Sequence, residues 1–385
     1  MRPLCEGLFQ LRYGDRRPLA GPGLQRHGIS AAAAKDLVDG YASGISRTRQ
    51  WFADAGWPDP PRGVEGYVPV YVLDPLDVVG VGADASGTIP RQKAGFRDAS
   101  TILLRSSLDV IDRDRWRERA EVEAAHETAH VFLHGLLSPL AQNADAWKWF
   151  DEASATFVER AIFPGHPETL RFARQWIQQP ELPISLWGCR ETDEGYSSAW
   201  FVRHLVNLYG SAVLLDIWGK APSYRRPWLA IEEALNSRGA SLEDVLWTYY
   251  AYGDGLLDPA ATALWGEKPL TWILTEKGET TEEAPIFPEG CRNYEIALPA
   301  GAMAEVSIAA TRGILGEIRA EIFPIGTNTG MASRGRLIKD GDSKLKGVVC
   351  GGTRLMLVVG RPQPAQPRAF PPLGPTATLV KVAIT

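Results

Sequence analysis

Glu121-Val-Glu-Ala-Ala-His126-Glu127-Thr-Ala-His130-Val-Phe-Leu-His134 is the stretch on which the reading of this chain turns. From Arg115 the sequence runs without Gly or Pro until Gly135, Pro139 follows, and Asp112 or Asp114 can cap the start, so the pattern predicts a helix. Val122, Ala125, Ala129, Phe132 and Leu133 recur at helical intervals and give that helix an apolar side for burial. His126 and His130 stand one turn apart on one face, so both imidazoles can reach a single metal ion, the spacing of a zinc clamp. Glu127 projects beside them, where a carboxylate can take a proton from an activated water. The plainer reading is a pair of histidines hydrogen-bonded inside a helical core.

A catalytic zinc takes three protein ligands and keeps one position for water, so a third ligand is required. The metzincin pattern would place a glycine at position 133 and a histidine at position 136, where this chain has Leu133 and Leu136. His134 lies a further turn along, but three ligands in line along about 12 Å of helix cannot surround one ion. It reads as a neighbour of the ligands or as a charge at the helix C-terminus. Downstream, Trp147-Lys-Trp-Phe-Asp151-Glu152-Ala-Ser-Ala-Thr-Phe-Val-Glu159 is again helical in pattern, with Asp145 as cap and Pro164 as stop. Glu152 follows His130 after 21 intervening residues, room for a helix end, a loop and a returning antiparallel helix, and is the best third ligand. Asp151 points about 100° away from Glu152 around a helix and suits an outer layer of the site, while Glu159, two turns on, reads as a solvated carboxylate.

Trp149-Phe-Asp-Glu-Ala-Ser-Ala resembles the Trp-x-Asn/Asp-Glu-Gly-x-Ala segment of gluzincin metallopeptidases, the peptidase MA-like group. The resemblance implies His126, His130 and Glu152 as ligands of one Zn2+ per chain and Glu127 as general base. It extends to Gly195-Tyr196-Ser-Ser-Ala-Trp-Phe-Val-Arg-His-Leu-Val-Asn-Leu-Tyr-Gly210. That segment is similar to the one in which aminopeptidase-type gluzincins hold a tyrosine against the developing oxyanion, a role it implies for Tyr196. The alternative is a tyrosine that packs and caps a helix start, and His204, eight residues on, reads as a core histidine. The likeness covers about residues 116 to 250. It departs from the family in a longer gap between His130 and Glu152 and in Ala153 where glycine is usual. No Gly-x-Met-Glu-Asn segment precedes the motif, so a grip on a substrate amino terminus has no support.

With 385 residues, 45% of them hydrophobic and 23% charged, the chain has globular composition and room for two or three domains. A net charge of −5 argues against a nucleic-acid partner, which would demand clustered basic surface. No run of about 18 apolar residues is present to span a membrane as a helix. Met1-Arg-Pro-Leu-Cys-Glu-Gly lacks the apolar core of a signal peptide, so a cytoplasmic location is the default expectation, with secretion expected instead if the start is trimmed or misassigned. Cys5, Cys189, Cys291 and Cys350 form no CxxC pair; a Cys291–Cys350 disulfide is conceivable, and buried free thiols are the expectation in a reducing compartment.

Residues 30–55 read as a helix capped by Ser30, with Leu37, Val38, Tyr41, Ile45, Trp51 and Phe52 as its apolar set and Pro58 to Pro61 as its end. Tyr67–Leu73 and Ser100–Ser106 read as strands, and the Gly80–Gly95 stretch as a loop. A helix, strands and then the metal helix is the order of a zincin upper lobe, with residues 100–106 as the candidate edge for an extended substrate. Helices follow over Ala212–Trp218, Pro227–Ser237 and Ser241–Tyr250 and suit a lower lobe. From about Ala284 short alternating runs separated by Gly and Pro point to strands, and Arg361–Pro375 to a long Pro-rich loop.

The expected fold is therefore α+β. Residues 1–114 form the α/β part of a zincin-like upper lobe, 115–275 the helical core bearing the histidines, and 284–385 an all-β, sandwich-like C-terminal domain. The expected activity is zinc-dependent hydrolysis of a peptide or protein. The competing expectation is a catalytically silent zincin-fold binding or scaffolding protein whose β-domain docks a glycan or protein. An intact Glu127 favours the first, since a structural metal has no use for a base.

Overall fold

The computed structural model describes residues 9–13, 31–62, 66–73, 87–89, 101–105, 116–137, 145–164, 166, 184–185, 196, 198–224, 226–257, 273–274, 278–286, 290–297, 303–312, 318–324, 335–336, 338–340, 344–350, 354–360 and 376–384. The caps read at Ser30 and at Asp112 or Asp114, the Pro-rich segment 361–375, Cys5 and Cys189 lie outside them. The chain is of mixed helix and sheet and divides into two compact units, Met1–Leu170 with Leu205–Ala234 and Arg171–His204 with Leu235–Thr385. Among the described residues no helix is long and apolar enough to cross a membrane.

The first unit opens with β1 (Phe9–Tyr13), α1 (Ala31–Asp54), β2 (Val68–Leu73), β3 (Gly87–Ile89) and β4 (Thr101–Arg105), followed by α2 (Trp116–Leu136) and α3 (Asp145–Ile162). After α4 (Ala199–Tyr209), which leads in from the second unit, it ends with α5 (Ala212–Lys220) and α6 (Pro227–Asn236). The sheet has the order β1-β2-β4-β3, with β1, β2 and β4 parallel and β3 antiparallel to β4. Val68, Val70 and Val72 of β2, with Ile102 and Leu104 of β4, are buried, as the two-residue period of a strand requires for one covered face. The strand expected at 100–106 is described over Thr101–Arg105 and, among the described residues, is not the edge of this sheet. β3 pairs with Thr101, Ile102 and Leu103 and takes the outer position. It is only three residues long and sits inside the Gly/Ala/Asp-rich stretch that composition reads as loop.

α2 is buried on most of its circumference because α1 approaches it without side chains between the backbones. A Cβ on Gly40 would stand 2.6 Å from the carbonyl oxygen of Arg117 and 2.8 Å from Ala120 Cβ. One on Gly44 would collide with the carbonyl oxygen of Glu121 and lie 3.0 Å from Ala124 Cβ. Two glycines one turn apart thus face two alanines one turn apart. Farther along, Phe52 of α1 stacks on Phe132 of α2, with centroids 4.3 Å apart and planes within 3°. Arg47 ties α1 to the end of α3: it donates to the carbonyl of Ile162 at 2.7 Å and lies 4.1 Å over the ring of Phe163. On its other side α3 buries Phe150 against Trp218 of α5, whose indole N–H donates to Ser154 Oγ at 3.3 Å, and Trp149 against Trp228 of α6.

In the second unit, α7 (Leu242–Leu257) starts at Ser241, whose hydroxyl accepts from the backbone N–H of Asp244 at 3.1 Å and donates to its carboxylate at 2.7 Å. The strands are β5 (Ile273–Leu274), β6 (Gly278–Ile286), β7 (Cys291–Ala297), β8 (Met303–Arg312), β9 (Arg319–Pro324), β10 (Gly335–Arg336), β11 (Ile338–Asp340), β12 (Lys344–Cys350), β13 (Arg354–Gly360) and β14 (Thr376–Ile384). They form two five-stranded sheets among the described residues, ordered β10-β9-β13-β7-β5 and β11-β12-β8-β14-β6. One buried cluster joins them: Tyr294, Ile296, Ile322, Leu357 and Val359 from the first sheet, and Ile286, Val306, Ile308, Val380 and Val382 from the second. β6 begins before the Ala284 boundary read from composition. Among the described residues it is an edge strand that pairs with β14 alone, and its charged sequence Gly-Glu-Thr-Thr-Glu-Glu-Ala-Pro-Ile suits an edge while showing no alternation. Gly360 lets α7 lie on the first sheet, since a Cβ there would meet Tyr250 at 3.1 Å and Trp247 at 3.2 Å. Cys291 is buried on β7, whereas Cys350 belongs to β12 of the other sheet.

The helix contact yields a paired test. Gly44→Ala should destabilise the protein by about 1–3 kcal/mol through overpacking, despite alanine's better helix propensity. Gly219→Ala, with nothing within 4 Å of the added Cβ, should instead stabilise it by about 0.5–1 kcal/mol. Chemical denaturation of the two variants reads both signs.

Candidate metal centre

α2 and α3 run antiparallel, so rising numbers on one meet falling numbers on the other: His126 meets Glu159 and Glu152, His130 meets Glu152 and Asp151, and His134 meets Asp151. The structure brings His126, His130 and Glu152 to one point. His126 Nε2 lies 3.1 Å from Glu152 Oε2 and 3.1 Å from His130 Nε2, and His130 Nε2 lies 3.4 Å from Glu152 Oε2. Zinc holds nitrogen and oxygen ligands at about 2.0–2.2 Å, which sets neighbouring ligand atoms of a tetrahedron about 3.3–3.5 Å apart. A triangle of 3.1, 3.1 and 3.4 Å is close to one face of that tetrahedron and leaves the fourth corner to a non-protein group.

The other ring nitrogens face carboxylates. His126 Nδ1 lies 3.2 Å from Glu159 Oε2, and His130 Nδ1 lies 2.8 Å from Asp151 Oδ1. A carboxylate can only accept, so each Nδ1 carries the proton and each Nε2 can present its lone pair to a cation. This is how histidine ligands are oriented in metal sites, through an outer acceptor that fixes ring and tautomer. Glu159 is therefore not the solvated carboxylate that its distance from Glu152 suggests. It is buried, and seven residues of helix return it to nearly the same face as Glu152.

A second grouping, His130, His134 and Asp151, is also compact enough to be considered for a cation. Its geometry differs. Asp151 Oδ2 lies 2.7 Å from His134 Nε2, and Oδ1 2.8 Å from His130 Nδ1, lengths of direct charge-assisted hydrogen bonds and too short for two ligands on either side of an ion. Glu127 is buried, 7% exposed, three residues before His130 and so on its face of α2. Tyr196 is half-buried and belongs to the second unit. His204 lies in the core of that unit, where its Nε2 is 3.0 Å from Thr248 Oγ1, whose hydroxyl donates to the carbonyl of Val245. Burial holds its pKa down at about 4, against a smaller upward pull from the Val245 backbone, so it is neutral and structural at neutral pH.

Electrostatics set the chemistry. In the metal-free protein, burial opposes a charge on His126, but hydrogen bonds to Glu152 and Glu159 outweigh it and raise the pKa to about 10. For His130, too, burial opposes the charge, and Asp151 and Glu152 raise its pKa well above the usual histidine range. Burial likewise works against ionised Glu152, yet the two histidines pull its pKa down to about 2, and His130 with His134 holds Asp151 well below the usual carboxylate range despite its burial. Protons on the imidazoles thus supply the positive charge that a metal would bring.

No protein-family model and no curated protein matches this chain. Among solved structures, it is similar to the periplasmic inhibitor of g-type lysozyme PliG from Aeromonas hydrophila, with 16% identity over 29% of this chain and 97% of that one and a TM-score of 0.21. It is also similar to the pre-peptidase C-terminal domain of collagenase from Bacillus anthracis, with 11% identity over 31% of this chain and 100% of that one, at a TM-score of 0.21. A third match is the family GH115 4-O-methyl-α-glucuronidase BtGH115A, with 11% identity over 86% of this chain and 53% of that one, at a TM-score of 0.18. Similarities this low carry no argument about fold or activity.

The pH dependence follows from the signs of the shifts. The raised His126 pKa contributes stability that is whole below its ordinary 6.5 and is lost as pH rises toward about 10. The lowered Glu152 pKa contributes stability that is whole above 4.5 and is lost as pH falls toward about 2. The metal-free protein should therefore exceed a His126→Ala variant in melting temperature most strongly between pH 4.5 and 6.5. A Zn2+ ion taken up by these imidazoles would have to displace their protons, so any stabilisation by added zinc in the same thermal scan should grow from about pH 6 to about pH 8.

Proposed function

We propose that the chain is a zinc metallopeptidase of the gluzincin type, with a zincin-like catalytic region and a β-sandwich C-terminal domain. The observation that carries this reading is the convergence of His126 Nε2, His130 Nε2 and Glu152 Oε2 within 3.1–3.4 Å of one another, each histidine backed by its own carboxylate. Supporting it is the charge balance: Asp151, Glu152 and Glu159 surround these imidazoles, and burying so many carboxylates demands positive charge, which a divalent cation can supply. Nitrogen and carboxylate donors in tetrahedral spacing suit Zn2+ better than Mg2+ or Ca2+, which prefer six or more oxygens.

His126, His130 and Glu152 would hold the ion, and Asp151 and Glu159 would hold the imidazoles. Zinc, when bound, supplies a Lewis acid that acidifies water and polarises a peptide carbonyl. Glu127 accepts the proton of the attacking water on its carboxylate and passes it to the leaving amine. For Tyr196 the role of hydrogen-bond donor to the developing oxyanion is proposed from the local sequence around it alone. The substrate is a peptide or protein.

Glu127→Gln should retain about one zinc per chain while kcat falls by about 100- to 10,000-fold, the usual worth of a positioned base. Metal content by elemental analysis and cleavage of a broad peptide library with a chelator control read the two quantities separately. Absence of metal from protein purified without chelators, or undiminished cleavage by Glu127→Gln, would sink the mechanism. A chain that binds zinc but cleaves nothing in the library is instead a zincin-fold binding protein.

A further inference from the structure

His126, His130 and His134 stand at successive turns of α2, yet they are engaged differently. The first two turn Nε2 toward each other and toward Glu152. The third turns Nε2 onto Asp151, 2.7 Å away, and its ring lies 5.6 Å from that of His130 with planes within 28°. Asp151 is thereby held at both ends, Oδ1 by His130 and Oδ2 by His134, in a site where His134 is buried and Asp151 only 15% exposed.

Asp151 and Glu152 are neighbouring carboxylates that share one imidazole, His130, and a carboxylate held by one oxygen can turn about its side-chain torsions. One held by both cannot. We propose that His134 is a positioning residue of the metal centre. By gripping Oδ2 it fixes the Asp151 carboxylate that orients His130, and it prevents Asp151 from rotating inward to replace Glu152 as the third ligand. This rests on the zinc reading of His126, His130 and Glu152. Leucine at position 134 would preserve bulk and apolar packing but leave Asp151 Oδ2 without its donor. Glutamine at the same position carries an amide N–H at about the place of Nε2 and can restore it.

The test uses the full chain, with Zn2+ affinity measured by competition with a chromophoric chelator and the ligand field read from the visible absorption of the Co2+-substituted protein. His134→Leu should weaken zinc binding by about 10- to 100-fold, the usual effect of losing an outer-layer partner, and should alter the cobalt spectrum. His134→Gln should recover most of the affinity and the wild-type spectrum. Asp151→Asn, which can accept from only one of the two histidines, should lose a comparable amount, and adding His134→Leu to it should cost little more, since both changes break one bracket. A folded His134→Leu with wild-type affinity and spectrum overturns the proposal, as does His134→Gln behaving like His134→Leu. If His134→Leu does not fold, Asp151→Asn decides: wild-type zinc affinity there overturns the proposal equally. A wild-type chain that takes up no zinc overturns the metal reading itself, and this role with it.

Discussion

Buried negative charge is the constraint around which the first unit is organised. Glu127 and Glu159 are buried and Asp151 and Glu152 nearly so, all within or beside two packed helices. Such a group is tolerable only when each carboxylate faces a positive or hydrogen-donating partner. The imidazoles of α2 meet that need on α3. Each of His126 and His130 touches two carboxylates, one through each ring nitrogen, so the ion pairs form a ladder from Glu159 at one end to His134 at the other. A divalent cation at the centre of that ladder and protons on the histidines are alternative ways of satisfying the same requirement.

The helices around the ladder make it rigid. Gly40 and Gly44 let α1 settle against Ala120 and Ala124, immediately before the turn of α2 that carries His126 and His130. Phe52 on Phe132 fixes the next stretch, and Arg47 closes the C-terminal end of α3 beyond Glu159. The face of α3 away from α1 is filled by Phe150, Trp218 and Ser154, which hold its rotation. Rotation is what matters here, since turning α3 by one residue's worth, about 100°, would exchange the roles of Asp151 and Glu152. Close packing fixes the rotation of one helix against the other, and with it which carboxylate meets which nitrogen.

Much of this was legible in the sequence because helical and strand periods are local properties. The helices bearing His126, His130 and Glu152 follow from residue spacing and the absence of breakers, and the strands at 68–73 and 101–105 follow from apolar runs between turn residues. Other features had faint signals. Glu159 lies seven residues from Glu152, a heptad spacing that returns it to the same face, but nothing local says that the last turn of α3 is still covered. β6 is acidic and carries Pro285, as an edge strand can be, and so lacks the alternation by which strands are read. β3 takes the edge position expected of residues 100–106 with only three residues, too few to form a pattern.

The sequence by itself determined which residue types could meet. It holds two histidines one helical turn apart with a glutamate between them, and a second helix bearing adjacent carboxylates after a loop of sufficient length. Only the tertiary structure decided which of those carboxylates faces which nitrogen. It set Glu152 at the convergence of the two Nε2 atoms, gave Glu159 to Nδ1 of His126, and shared Asp151 between His130 and His134. The physical reason is that helical periodicity fixes angles within one helix, whereas the rotation and offset between two helices come from packing across long sequence separations, here through Gly40, Gly44 and the aromatic residues behind α3.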